Sequence, residues 1–146
     1  MTGELIRALV TSFVGTLGFA ALLHAPRRAW LPASLIGGVG YLLYFALMQL
    51  GLSDPTSIFV GSLLASLLAQ LAARKMRMIA TIFVTLSIIS FVPGLGLYRC
   101  MALLAEGQSD LGLKAGVAAM TSIVMIALGL GVGSFLFRSV AGAAKR

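Results

Sequence analysis

The residues with the clearest potential for chemistry lie in one short interruption of the apolar run 78–104. A proline, two glycines, a tyrosine and an arginine break this run: Pro93, Gly94, Gly96, Tyr98 and Arg99. Because proline lacks the N–H that a continuous helix needs, we expect one helix to end near Ser90 and another to begin near Leu97. The first N–H groups of a helix are free and its dipole is positive there. This second half-helix is therefore predicted to favour an anion such as a carboxylate.

Arg99 falls in or near the first turn of the expected second half-helix. Its guanidinium can make a charge-assisted contact with the same anion. An ionisable residue inside an apolar segment is costly and marks a functional candidate. The alternative is that Arg99 snorkels to the headgroups or pairs with Glu106 or Asp110.

Hydroxyl groups precede the break. Thr81 and Thr85 are one helical turn apart. Their hydroxyls could contact a substrate, or they could equally well bond back to carbonyl groups of their own helix. Tyr41 and Tyr44 lie deep in an earlier apolar segment, where a hydroxyl needs a partner, so a pocket role is open for them. The predicted substrate-binding set is Thr81, Thr85, Ser90, Pro93, Gly94, Gly96, Tyr98 and Arg99.

The elements that must position these residues belong to a membrane protein. The 146 residues are 60% hydrophobic and 10% charged, with a mean hydropathy of +1.05. Soluble domains carry about 25% charged residues, so this composition indicates an integral membrane protein. Neither a linker nor a change of composition divides the chain, which predicts one transmembrane domain over residues 1–146.

Five apolar segments predict an all-α bundle. A helix needs roughly 20 apolar residues to cross a bilayer. The fourth segment is too long for one straight crossing and too short for two, so we expect a crossing that breaks at Pro93-Gly94 and continues as a half-helix over 97–105. The first segment lacks the preceding basic cluster of a signal peptide and is interpreted as a retained helix. The segments are about 5–23, 31–50, 56–73, 78–105 and 115–137.

Basic residues predict the orientation of the bundle. Basic residues follow segments one, three and five, whereas acidic residues mark the opposite ends. Since positive residues favour the cytoplasmic side, the pattern predicts five crossings with N-out, C-in topology. The basic residues are Arg27, Arg28, Arg74, Lys75, Arg77, Arg138, Lys145 and Arg146; the acids are Glu4, Asp54, Glu106 and Asp110.

Several classes of function lack support in the sequence. The basic residues that give the net charge of +7 lie between apolar runs, and no nucleic-acid recognition motif accompanies them. Cys100 and His24 are single residues of their type, so no metal cluster or disulfide is predicted. The four acids stand at predicted helix ends or loops, and no nucleophile has a nearby base. We therefore predict no enzyme, metal or cofactor, and any proton coupling would need a partner or a loop carboxylate.

Small residues recur at helical spacing in segments three and five. Such spacing lets helix backbones approach closely within a membrane, and it predicts helix packing rather than direct chemistry. The residues are Gly61, Ala65, Ala69 and Ala73, with Ser62 and Ser66 alongside, and Gly129 and Gly133 with Ser122.

Several short runs resemble the threonine/serine exporter (ThrE) family. The similarity is closest to its small stand-alone, YjjB-like type of subunit and covers nearly the whole chain. One departure is Ile79, which stands where the family pattern has proline, so the first half of segment four is expected to be the more regular helix. The matching runs are 25–29, 78–83, 91–94, 98–99 and 103–107.

The resemblance implies a subunit of a bacterial inner-membrane exporter that works with a second, YjjP-like membrane subunit. Small subunits of this type are associated with succinate-type dicarboxylates, and fused family members with threonine and serine. Both classes carry a carboxylate. Alternating access around the broken helix is the expected mechanism. The alternatives are a non-transporting assembly subunit and a channel-like homo-oligomer, since the small-residue faces also suit self-association.

Overall fold

The protein is a bundle of α-helices, which confirms the predicted fold class. The computed structural model describes the backbone of residues 2–143; Lys145, Arg146 and the side chain of Glu4 lie outside what it describes. A 3-10 turn, Ile89–Phe91, lies between the fourth and fifth helices. The helices are α1 (Thr2–Leu22), α2 (Arg27–Gln49), α3 (Asp54–Met76), α4 (Ala80–Ile88), α5 (Gly94–Ala105) and α6 (Ser109–Ala143).

Four of the five predicted membrane-spanning segments agree with the structure. Helices α2, α3 and α6 are each long and apolar enough to cross a bilayer. Ala80–Phe91 and Gly94–Ala105 pass the same test together, as a span bent by 47°. The first predicted segment falls short of this length, since its apolar part, Ile6–Leu22, belongs to the shorter apolar helices. The predicted interruption of the fourth segment is therefore present as a bend.

The first four helices run alternately up and down. The Ser12 hydroxyl of α1 donates to the Gly37 carbonyl of α2, and Tyr44 of α2 reaches Asp54 at the start of α3. This order brings the α1–α2 loop and the α3–α4 turn to one end, which we call the basic end because it carries Arg27, Arg28, Arg74, Lys75 and Arg77. The opposite end, where α3 begins, we call the acidic end.

Helix α6 runs in the same direction as α3 and packs against it through small residues. A Cβ at Gly133 would lie 2.8 Å from Ser66 Cβ, so the two backbones touch where the sequence pattern predicts. The Ser66 hydroxyl donates to the Leu130 carbonyl at 3.2 Å, and Gln70 Nε2 donates to Ser134 Oγ at 3.2 Å. These contacts confirm that the small-residue stripes serve helix packing.

The break itself differs from the expectation in its position. Helix α5 begins at Gly94, three residues before the predicted start at Leu97. Pro93 is its N-cap residue, and the Leu97 N–H donates to the Pro93 carbonyl at 3.1 Å. A proline needs no N–H partner, so the helix can begin directly after it.

Glycine at position 129 is a testable requirement of this fold. A Cβ there would lie 2.7 Å from the Phe59 carbonyl oxygen and 3.1 Å from the Leu63 nitrogen, both backbone atoms that cannot rotate away. We expect Gly129→Ala to destabilise the protein by about 1–3 kcal/mol, the usual cost of overpacking. Gly131→Ala is the matched control, because nothing lies within 4 Å of its added Cβ.

The measurement is thermal unfolding of both variants in the same detergent. Gly129→Ala should unfold at a lower temperature than the wild type, whereas Gly131→Ala should not. Equal unfolding temperatures for the two variants would contradict the packing of α6 on α3.

Candidate functional site

The centre of the site is a hydrogen bond between α1 and the end of the α4 span. Thr16 Oγ and Ser90 Oγ are 2.8 Å apart. The Thr16 hydroxyl donates its single hydrogen to the Ser12 carbonyl at 2.9 Å, so Ser90 is the donor to Thr16. Gly37 makes this approach possible, because a Cβ there would lie 2.8 Å from Thr16 Oγ1 and 3.2 Å from Ser90 Oγ.

Two cavities meet at this point and share Tyr41 and Ser90 in their walls. The first, of about 240 Å³, opens along α1 and has three further hydroxyls, those of Thr11, Ser12 and Thr16. The second, of about 180 Å³, extends towards the acidic end beside the helix break and is lined by Tyr44, Asp54, Pro93 and Ser122, among others. We call the two together the central crevice.

An aromatic cluster forms one wall of the central crevice. Tyr41, Tyr44 and Phe91 pack with ring centroids 5.3–6.5 Å apart, in tilted and edge-to-face arrangements. Phe91 is buried in the 3-10 turn and lies against two glycines: a Cβ at Gly40 or at Gly61 would come within 3.0 Å of its ring. The break in the fourth span is therefore held in place by packing against α2 and α3.

Tyr44 also forms the one polar contact of this wall that involves a charged residue. Its hydroxyl donates to Asp54 Oδ1 at 2.8 Å. Asp54 is the first residue of α3, and so the α2–α3 connection brings a carboxylate to the mouth of the crevice.

A third cavity, of about 300 Å³, lies at the basic end and is lined by His24, Thr81 and Thr85, among others. The indole N–H of Trp30 donates to the Ala25 carbonyl at 2.8 Å and so holds the loop that carries His24.

This basic-end cavity and the central crevice follow the same two helices. On α1, Phe19 lines the crevice, and Leu23, which directly follows this helix, lines the basic-end cavity. On α4 the order is reversed: Leu86 lines the basic-end cavity, and Ile89 in the following 3-10 turn lines the crevice. The two cavities are thus separate but neighbouring parts of one groove between α1 and α4.

The predicted site residues divide into three groups. Ser90 and Pro93 come together in the central crevice, whereas Thr81 and Thr85 line the basic-end cavity. The others belong to α5 and line neither cavity: Tyr98 is 69% exposed, Arg99 and Gly94 are exposed, and Gly96 packs towards Ala119. The Glu106 carboxylate, one expected partner of Arg99, accepts a bond from Gln108 Nε2 at 3.2 Å.

Sequence reasoning did not identify Thr16 and Asp54 as residues of the crevice. Thr16 looks like an ordinary helical hydroxyl until α4 is packed against α1. The sequence pattern places Asp54 only at a helix end or loop. The available signal was the short α2–α3 connection, since an antiparallel pair places Tyr44 near the start of the next helix. Tyr41 and Tyr44, for which a pocket role had been left open, do line the crevice.

Fold and crevice together define a multi-pass helical membrane protein with polar cavities between its spans. Residues 8–136 match the family model described as Threonine/Serine exporter, ThrE, and the chain therefore belongs to this family. The match confirms the resemblance noted in the sequence. Its members form a family of transporters rather than enzymes. No solved structure matches the chain.

The crevice predicts that two neighbouring serine positions differ sharply in their accessibility to water. Ser90 lines it, whereas Ser87, one turn earlier, is 1% exposed and bonded to the Phe83 carbonyl. In a Cys100→Ala background, we expect Ser90→Cys to react with a water-soluble maleimide at least tenfold faster than Ser87→Cys, because a thiol reacts as its solvated thiolate. The measurement is the labelling rate in native membranes, and equal rates would contradict a water-accessible crevice at Ser90.

Proposed function

We propose that this protein is a membrane subunit of a secondary exporter for small carboxylate-bearing metabolites, either threonine and serine or succinate-type dicarboxylates. The observation that carries the proposal is the groove between α1 and α4, with one cavity at the basic end and another at the break, separated by about one helical turn. Family membership supports exporter-type transport. The choice among substrates is part of the proposal.

The division of the groove favours alternating access over a channel. An open pore would join its cavities, whereas here the two share no lining residue: Phe19 lines the crevice and Leu86 lines the basic-end cavity. Leu86 is 2% exposed, so a small movement of α4 against α1 would be needed to connect them. The bent span supplies a place for such a movement, because hinges lie at the ends of helical elements.

The dimensions and lining of the groove suit small polar substrates. Each cavity holds about 300 Å³ or less, at or below the lower limit of the roughly 300–1,000 Å³ typical of pockets for drug-sized ligands. Hydroxyl groups line both cavities: Thr81 and Thr85 at the basic end, Thr16 and Ser90 in the crevice. The Thr16 and Ser90 hydroxyls already donate their hydrogens, so in the crevice they act as acceptors, which suits a substrate amine better than a carboxylate.

A second membrane subunit is part of the proposal because the groove is open on one side. Thr11 and Gly15 are exposed on α1 beside the crevice. The Thr11 hydroxyl is bonded to the Arg7 carbonyl of its own helix at 2.8 Å, so the reason for a partner is the open side of the polar crevice rather than an unpaired group. We propose that the partner, a YjjP-like subunit, covers this side, and that the basic end faces the cytoplasm of a bacterial inner membrane in an N-out, C-in arrangement.

The start of α5 is the proposed contact for the substrate carboxylate. Pro93 lines the crevice and the helix begins at the next residue, so the positive end of its dipole lies beside the crevice, with the Gly94 N–H bonded to the Val92 carbonyl at 2.8 Å. Arg99 and Tyr98 are exposed on α5, and in this proposal they meet headgroups or the partner.

Efflux from proteoliposomes tests the proposal. We expect labelled threonine or succinate to leave vesicles that contain this chain and its partner, and to stay in vesicles that contain either alone. Ser90→Leu should lower that efflux at least tenfold, because the larger side chain fills the crevice where its two cavities meet. Ser139→Leu, the same substitution at an exposed position of α6, should leave it unchanged.

Two other outcomes of this efflux experiment would support the alternative functions. Flux by this chain alone would indicate a channel-like homo-oligomer. An intact complex that carries neither substrate would leave this chain as an assembly subunit and refute the proposal.

A further inference from the structure

Asp54 lines a cavity, although its place in the sequence does not indicate this. It lies at the start of α3 and lines the part of the crevice beside the helix break. Of two other acids, Glu106 follows the end of α5 and Asp110 lies in the first turn of α6. Among the residues that the structure describes, Asp54 is thus the acid that lines one of the cavities of the groove.

Asp54 is exposed at the mouth of the crevice, and one hydrogen bond orients its carboxylate. The Tyr44 hydroxyl donates to Oδ1 at 2.8 Å, and the Tyr44 ring is held in turn by the aromatic cluster with Tyr41 and Phe91. A carboxylate accepts hydrogen bonds at both oxygens, so this arrangement leaves acceptor capacity for a ligand.

The Asp54 carboxylate has no positively charged side chain beside it among the residues that line this part of the crevice. The side chains that line this part with Asp54 are hydroxylic, aromatic or aliphatic, and none of them is a lysine, arginine or histidine. A solute that enters therefore meets a negative charge beside the hydroxyls of Tyr41, Ser90 and Ser122. A second carboxylate there would be repelled, whereas an ammonium group would be attracted.

We propose that Asp54 binds the ammonium group of an α-amino acid and so selects amino acids over metabolites that carry carboxylates alone. The inference rests on the proposed export function and names the substrate class of that same crevice. Pro93 and Asp54 line one cavity, so the start of α5 and the Asp54 carboxylate offer opposite charges to the two ends of one zwitterion. Tyr44 is a positioning residue, which acts by orienting Asp54.

The experiment measures competing substrates in the same preparation. Vesicles that contain this chain and its partner are loaded with labelled threonine, 3-hydroxybutyrate or succinate; 3-hydroxybutyrate is threonine without its amino group. We expect the wild type to prefer threonine over 3-hydroxybutyrate by at least tenfold in kcat/KM. Asp54→Asn should raise the KM for threonine about tenfold or more and leave 3-hydroxybutyrate unchanged or improved, which removes the preference.

Two further variants separate recognition from folding. Asp110→Asn removes a carboxylate from the first turn of α6, which lines none of the cavities of the groove, and should keep the wild-type preference. Tyr44→Phe keeps the ring but loses the hydrogen bond to Asp54, so we expect a smaller loss of preference than in Asp54→Asn. The ratio of two substrates in one preparation does not depend on how much of the protein is folded.

Each of the remaining outcomes would contradict the proposed role of Asp54. A preference unchanged in Asp54→Asn, or equal losses for threonine and 3-hydroxybutyrate, would overturn the role of Asp54 while export itself stands. A wild type that carries succinate but not threonine would overturn it too. A complex that carries none of the three would remove the proposed function and this inference together.

Discussion

Close approach of α2 to its neighbours is the constraint on which the rest of the structure depends. At Gly37 the chain leaves room for the bond between Thr16 and Ser90, and at Gly40 it leaves room for Phe91 and for α3. Apolar surface cannot drive helices together inside a lipid bilayer, because the lipid is equally apolar. Packing of small residues and hydrogen bonds between helices must do so, and both occur at these two positions.

The break in the fourth span follows from the same constraint. A helix that stops inside a membrane exposes backbone groups that need partners in protein or water. Here the 3-10 turn that carries Phe91 lies in a recess made by glycines, and Ser90 on the same turn donates to Thr16. The irregular backbone is thereby enclosed by protein on one side and lines the crevice on the other. This arrangement is typical of discontinuous helices that border a binding site.

Two groups of polar residues give the ends of the groove different characters. The basic end carries arginines and a lysine on its loops and hydroxyls in its cavity, whereas the acidic end presents the Asp54 carboxylate. In the proposed function, a substrate with both signs of charge meets a different group at each end. Hydroxyl side chains, which carry no net charge, line both cavities between these ends.

Composition and helical periodicity by themselves determined the membrane character, the all-α fold, the bent fourth span and the contact faces of α3 and α6. These features depend on local properties: apolar length, the missing N–H of proline and small residues one turn apart. Only the tertiary structure decided which polar residues meet. Thr16 and Ser90 are 74 positions apart, and the distribution of the predicted site over two cavities and an exposed face depends on how α1, α4 and α5 pack. Pairing between distant side chains is a property of that packing, and local pattern does not encode it.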